Sequence, residues 1–386
     1  MHSEHAALIA LNMVPDIGSV TVRKLTETFG SAAKALGASA HDLLACPGIG
    51  RARAEAFADA FRRVDPGAEE ARAAKLHVRL VAQCDAEYPR ALREIHDPPL
   101  VLYCAGDLSA FDAPGVAMVG TRTPTVYGRE TARRFAYGLA AAGYAVVSGM
   151  ARGIDAAAHR GALDAHGRTI GVLGGAIDCF YPEENRELAR ETVKSGGLVV
   201  SEYPFGRKPD RQTFPMRNRI ISGLSAGTLV VEAAVKSGSL ITAEQATEQG
   251  RAVMAIPGRI DTPTSLGCNK LIRDGAKIVL SPDDVIDELS AFPFAWRQAN
   301  AQSASRNGAT PTAKAPAPAD KSARPFVPLS DEEQRLVDAI GPEETQVDEV
   351  IRVSGVEAGR ASALLITLQL KRQLKLLPGG WVTRNL

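Results

Sequence analysis

The residues best able to do chemistry in this 386-residue chain are arginines and glycines gathered where apolar runs end. The stretch TFPMRNR, residues 213–219, sets Phe214 beside Arg217, Asn218 and Arg219, and Arg207, Lys208 and Arg211 precede it. A guanidinium holds two phosphate oxygens at once, and an aromatic face accepts a stacked base. The formal net charge is only +1, so these five basic residues, broken only by Asp210, form a local patch on an otherwise balanced chain. Five cations exceed what one small metabolite needs and suit a track for a single nucleic-acid strand. Phe214 also reads as a core residue, because a ring near a sheet is usually packed.

Glycine-rich turns supply the rest of the candidate site. Gly120, Thr121 and Arg122 follow the run GVAMV. A strand-to-helix turn there presents free backbone N–H groups to an anion, and Arg122 is placed to clamp it unless a nearby carboxylate takes the guanidinium. The turn after YAVV carries Ser148, Gly149, Arg152 and Gly153, with Asp155 expected to cap the next helix. Gly174 and Gly175 end a third run, where missing side chains let a ligand or another backbone come close. Glu232, after GTLVV, reads either as a catalytic acid or base or, the preferred reading, as an acceptor that holds the crevice loops in shape. Ser237 and Ser239 open the helix that follows. His159, four residues beyond Asp155, is expected to form a surface pair with it rather than to act as a base.

No Ser-His-Asp set, paired carboxylates or metal-spaced His/Cys cluster stands out, so no catalytic residue, cofactor or metal is expected. The five cysteines are an odd number, lie far apart and form no C-x-x-C, which argues against a disulfide framework and for a reducing cytoplasm. The N-terminus lacks a basic leader and no run is long enough to span a bilayer, so a soluble protein with no membrane partner is expected.

These residues need rigid elements to position them. From Gly115 onward the runs GVAMVG, YAVVSG, TIGVLGG, GLVVSE, GTLVVEA, AVMAIPG and AKIVL alternate with amphipathic helical stretches. That alternation predicts an α/β domain, a Rossmann-like doubly wound parallel sheet covered on both faces, over residues 75–290, with 75–114 as an extension docked on it. Residues 1–74 hold two turn-and-helix phrases, MVPDIGSVTVRKLTETFG and ACPGIGRARAEAFADAF, that read as halves of a helix-hairpin-helix (SAM-like) module. The turn Pro47-Gly48-Ile49-Gly50 would let backbone N–H groups meet a phosphate, though a purely packing role reads equally well. Residues 291–328, rich in Ala, Pro and small polar residues, read as a flexible linker. Residues 329–386 give three helices and two short strands around Gly379 and Gly380, the order of a winged helix.

Taken together, MVGTRTPTVYG, SGMARGIDAAAHRGAL, GGAIDCFYPEEN, the stretch from SEYPFGRKPD to GTLVVEA, and SGSLITAEQATEQGRAVMAIPG resemble the DNA-processing protein A family, DprA, also called Smf. The resemblance implies a non-enzymatic recombination mediator that binds and protects incoming single-stranded DNA during natural transformation, loads the RecA recombinase, and forms a homodimer through its Rossmann domains. It implies Gly120, Thr121 and Arg122 as phosphate-binding positions and Phe214, Arg217, Asn218 and Arg219 as strand-contacting ones. The phrase LIRDGAKIV resembles the dimer surface, which marks Leu271, Ile272 and Ile278. A competing reading is a nucleotide-processing enzyme of the phosphoribohydrolase type, but the run Gly227 to Glu232 has one residue too many between Thr228 and the carboxylate, which would turn Glu232 to the opposite face. A third, a duplex-reading regulator, is weakened by the mostly apolar presumed recognition helix.

Overall fold

The computed structural model describes residues 3–291, 330–340, 345–370, 374–377 and 381–384. The chain divides into two compact units, Met1–Gly308 and Ala309–Leu386. The linker expected over residues 291–328 lies, but for its first residue, outside the described residues.

The first unit opens with helices Glu4–Asn12, Ser19–Phe29, Ala32–Leu36, Ala40–Leu43, Arg51–Phe61 and Pro66–Lys75. Most start on a side chain that satisfies a free N–H: Ser3, Ser31, Ser39 and Asp65 each accept from the residue three positions on. The helices that start at Gly18 and Gly50, the two hairpin turns, have no such cap. Their apolar faces bury Leu11, Leu25, Leu43 and Phe57, and the same core continues into Val101 and Tyr103 of the sheet. A buried carboxylate, Glu69, ties the two layers by accepting from Tyr103 Oη and from Phe205 N, both at 2.9 Å.

Among the described residues nine strands form one sheet: β1 Arg79–Ala82, β2 Val101–Gly106, β3 Gly115–Val119, β4 Ala145–Ser148, β5 Thr169–Val172, β6 Leu198–Ser201, β7 Gly227–Val230, β8 Ala252–Ala255 and β9 Lys277–Ile278. Their order is β1-β2-β6-β5-β4-β3-β7-β8-β9. The seven apolar runs are the seven strands β3 to β9, all parallel. The docked extension proves to be part of the sheet itself: β2 pairs antiparallel with β6, and β1 with β2, so the sheet is mixed rather than purely parallel. Every residue of β3 to β7 is buried because helices cover both faces. Val116 and Met118 point toward Ala132, Phe135 and Leu139 of the helix Val126–Ala141 on one side. Ala117 and Val119 point toward Ile220, Ile221 and Ala243 on the other.

The chain steps outward from β3 to β6, then returns to place β7 on the other edge of β3. Strand order therefore reverses between β3 and β7, and the loops beyond their carboxyl ends diverge to opposite faces, leaving a crevice. That point is where the glycine–arginine turn after β3 and Glu232 after β7 lie.

The second unit packs helices Asp331–Asp338, Val347–Ser354 and Ala358–Leu370 with β10 Thr345–Gln346, β11 Leu374–Leu377 and β12 Trp381–Arg384, in the sheet order β10-β12-β11. Leu336, Val350, Leu365, Leu368 and Val382 make its own core, and Ser330 with Glu333 forms a capping box. Among the described residues no helix is long and apolar enough to cross a membrane.

Candidate nucleic-acid interface

A crevice of about 520 Å³ opens at the strand reversal. Three segments wall it: Gly120, Thr121 and Arg122 after β3; Arg211, Phe214, Arg217 and Asn218 at the start of helix Thr213–Gly223; and Ser237 and Ser239 at the start of helix Gly238–Glu248. The Ser237 and Ser239 hydroxyls lie 2.7 Å apart at that helix N-terminus, whose positive dipole end favours an anion.

Glu232 builds the rim from below. Its backbone carbonyl accepts from Thr121 N at 2.7 Å. Its carboxylate, only 3% exposed, accepts from Thr125 N at 2.9 Å, Thr125 Oγ1 at 2.7 Å and Thr264 Oγ1 at 3.3 Å. Thr125 in turn accepts from Gly128 N at 3.0 Å and so starts the helix Val126–Ala141. The loop between is pinned at both ends, and Ile154 N donates to Thr121 O at 3.2 Å across it. Gly153 must be glycine there: its φ is +79°, and a Cβ would collide with the Thr121 carbonyl. Arg122 projects from this fixed loop, exposed, with its guanidinium carbon 5.3 Å from the Phe214 ring centroid. Among the described residues it pairs with no carboxylate.

Arg217 lies deeper, on the crevice floor, 4% exposed. Its Nη1 donates to the Val172 carbonyl, and its guanidinium fills the space a side chain at Gly149 would occupy. Burial pulls its pKa down to about 10, against the pull of the Asp155 charge. Among the described residues its Nε has no partner. Phe214 is half-buried over Gly174, where a Cβ would stand 2.7 Å from its ring, and its centroid is 5.9 Å from that of Tyr181. Phe214, Arg122 and Arg217 also border a shallow depression completed by Gly149, Arg152, Tyr181 and Pro182. Sequence reasoning passed over Tyr181, although it stands in the quoted phrase GGAIDCFYPEEN.

Several expected site residues are used elsewhere. Arg219 turns away from the crevice, with Nε 3.0 Å from Asp97 and Nη2 2.6 Å from Glu202, and these carboxylates hold its pKa above the usual value despite burial. Arg152 pairs with Glu184 at 2.7 Å and Arg207 with Asp210 at 2.6 Å. Of the five-cation stretch, Lys208 and Arg211 are exposed without a carboxylate partner among the described residues. Ser148 is buried and donates to the Met118 carbonyl at 2.6 Å. Gly174 and Gly175 are buried beneath Phe214 and Pro209, so it is protein that makes the close approach. Asp155 does not cap its own helix; its Oδ2 accepts from Gly149 N at 3.0 Å and Ala151 N at 3.3 Å, binding the preceding turn. His159 forms no surface pair: it is fully buried, with Nδ1 2.7 Å from Thr169 Oγ1. Thr169 Oγ1 gives its own proton to the Val146 carbonyl, so Nδ1–H is the donor. Asn218, on the crevice wall, donates to the Gly238 carbonyl at 3.4 Å.

The residues marked for a dimer divide in the same way. Leu271 and Ile272 pack against the sheet core, whereas Ile278 is exposed on β9, the last strand of the sheet, near exposed Leu280. In the helical segment the first hairpin's helix start is occupied by an internal contact, Ser19 to Asp97, while Gly48 and Gly50 of the second are exposed and Gly48 lies beside the Lys24 ammonium.

Comparison with known proteins brings these features onto one footing. Residues 79–290 match the family described as DNA recombination-mediator protein A, residues 311–380 the DprA winged helix domain, and residues 8–63 the SAM-like helix-hairpin-helix tandem. Protein Smf of Synechocystis is 35% identical over 98% of this chain and 98% of its own. DNA processing protein DprA of Bacillus subtilis is 46% identical over 53% of this chain and 68% of its own. The X-ray structure of DprA from Streptococcus pneumoniae covers 76% of this chain and 99% of its own, with TM-score 0.64 and 35% identity. A Helicobacter pylori DprA structure, described for its single-stranded DNA binding mode, covers 55% of this chain and 96% of its own, with TM-score 0.50 and 32% identity.

Proposed function

The chain belongs to the DNA recombination-mediator protein A family, and from that premise we propose that its crevice at the strand reversal holds the backbone of single-stranded DNA without altering it. The observation that carries this reading is Arg122: a cation with no carboxylate partner among the described residues, fixed by Glu232 and Thr125 at the mouth of an anion-favouring loop. A phosphate entering there meets the Arg122 fork, and the Ser237 and Ser239 hydroxyls at the start of helix Gly238–Glu248 line the same space. Arg217 adds positive potential from below. Phe214 offers a stacking surface that any base can use, so binding is sequence-tolerant. Lys208 and Arg211 extend the path along the backbone.

The wider role that follows is mediation of recombination: protecting incoming single strands during natural transformation and passing them to the RecA recombinase, in the cytoplasm, as a homodimer that uses the β9 edge around Ile278. No catalytic step is part of it. The one carboxylate on the crevice wall among the described residues, Asp155, is occupied by two backbone N–H groups and the Arg217 charge, and Glu232 is buried behind the loop. Incubation with nucleoside monophosphates should therefore release no free base; release at a steady turnover would revive the phosphoribohydrolase reading. The direct test is a binding titration with oligo-dT, a mixed-sequence strand and a duplex at several salt concentrations. The strands should bind alike and more tightly than the duplex, with log affinity falling by about 0.7 per phosphate contact for each log unit of salt. Tighter duplex binding, or indifference to salt, would overturn the proposal.

A further inference from the structure

Three side chains of different chemistry meet where the first helix, Glu4–Asn12, packs beside the turn that follows β1. His5 Nδ1 lies 2.9 and 2.8 Å from the two carboxylate oxygens of Asp85, and Cys84 Sγ lies 3.5 Å from Asp85 Oδ1. One donor atom from each residue falls within 4.8 Å of the other two, and no other trio of His, Cys, Asp or Glu among the described residues is so placed. None of the three lines the crevice.

We propose that His5, Cys84 and Asp85 bind a zinc-like divalent ion. One imidazole nitrogen, one thiolate and one carboxylate are the donor types that zinc takes, and three protein ligands leave one coordination position open. Magnesium and calcium prefer sets made of oxygen alone, so the sulfur and nitrogen select against them. The surroundings fit a held ligand set. The other ring nitrogen, His5 Nε2, lies 3.5 Å from Glu70 Oε1, the place of a carboxylate that orients a metal-bound imidazole. Asp85 is itself fixed by Ala82 N, which donates to its Oδ2 at 2.8 Å, and by Arg93, which donates to its backbone carbonyl. Cys84 also lies on the wall of a cavity of about 490 Å³ shared with Glu4 and Arg93, which gives a water molecule space to act as fourth ligand. On binding, the ion forms bonds to nitrogen, sulfur and oxygen; the thiol proton passes to solvent, and the imidazole binds as its neutral form with its one proton on Nε2, facing Glu70. The ion would then join the first helix to the edge pair of the sheet and stabilise the folded unit by mass action.

The test uses the reduced full-length protein with Co2+ as a spectroscopic probe and Zn2+ in calorimetry. One equivalent of Co2+ should give a sulfur-to-cobalt charge-transfer band that Zn2+ displaces, and Zn2+ should raise the thermal midpoint. Cys84→Ser should abolish the band, while Cys179→Ser, which removes the partly exposed cysteine elsewhere in the chain, should keep it. His5→Ala should weaken Zn2+ binding at least as strongly as Glu70→Gln, for which a loss of about tenfold to a hundredfold is expected. Failure of the wild-type protein to bind Co2+ saturably at one equivalent, or a band that survives Cys84→Ser, would overturn the assignment and leave His5 and Asp85 as a simple ion pair.

Discussion

By sequence Arg122 and Arg219 both suit a strand-binding cation, yet they occupy opposite kinds of surroundings. Arg122 stands on a pinned loop with an aromatic ring beside it and no carboxylate partner among the described residues. Arg219 is nearly buried between Asp97 and Glu202, and Asp97 also receives the Ser19 hydroxyl from the helical segment, while Asn12 donates to the Glu202 backbone carbonyl at 3.1 Å. One arginine keeps a charge that no carboxylate among the described residues offsets; the other stitches the helices to the sheet. What matters for binding is thus the charge that remains after the protein has satisfied its own carboxylates, not the number of cations in a stretch.

The contrast breaks most sharply at Arg219. Arg219→Met leaves two carboxylates facing each other without their cation, and the expected cost to unfolding free energy is about 3–5 kcal/mol, with single-strand affinity of the folded fraction unchanged. Urea denaturation alongside DNA binding checks both halves. A stable variant that lost DNA would return Arg219 to the interface.

Phe214 should show the reverse pattern. Phe214→Ala removes the stacking face and is expected to weaken binding by about 1–3 kcal/mol per stacked base, equally for strands of different sequence. Fluorescence anisotropy with two unrelated oligonucleotides measures it; unaltered affinity would assign the ring to packing alone.

A pH-dependent effect concerns His159, buried beneath the crevice floor. Burial pulls the His159 pKa down to about 3, whereas the unfolded chain titrates it near the ordinary value of about 6.5. Between those limits the unfolded chain takes up a proton that the folded one refuses, so stability falls as pH falls, by about 1.4 kcal/mol per pH unit. Above this window His159 is neutral in both states and contributes no slope. Asp155, whose pKa burial raises, works in the opposite direction, so the comparison is with His159→Gln. That variant should show a flatter acid limb in denaturation midpoints measured across pH; an identical slope would remove His159 as the cause.

These pairs also show which features were legible before the structure. Seven strands could be read because a strand buried on both faces is a short continuous apolar run, and the glycines that end such runs mark where the chain turns into a helix. The holding role of Glu232 was legible from its position after a strand. The fate of Arg219 was not, because its partners lie 122 and 17 residues away in sequence and only the fold brings the loop before β2 and the end of β6 to it. The burial of His159 was hidden for a similar reason: an i,i+4 spacing describes one helix face, and whether that face meets water depends on the neighbouring strands. The His5, Cys84 and Asp85 group, spanning 80 residues, carries no spacing motif at all.

The most direct measurement is the salt dependence of oligo-dT binding by Arg122→Ala beside the wild-type protein. If the uncompensated cation grips a phosphate, affinity falls by about 1.5–3 kcal/mol, and the thermal midpoint stays close to that of the parent. The log–log salt slope should become shallower by about 0.7. Equal affinity and equal slope in the two proteins would contradict the account.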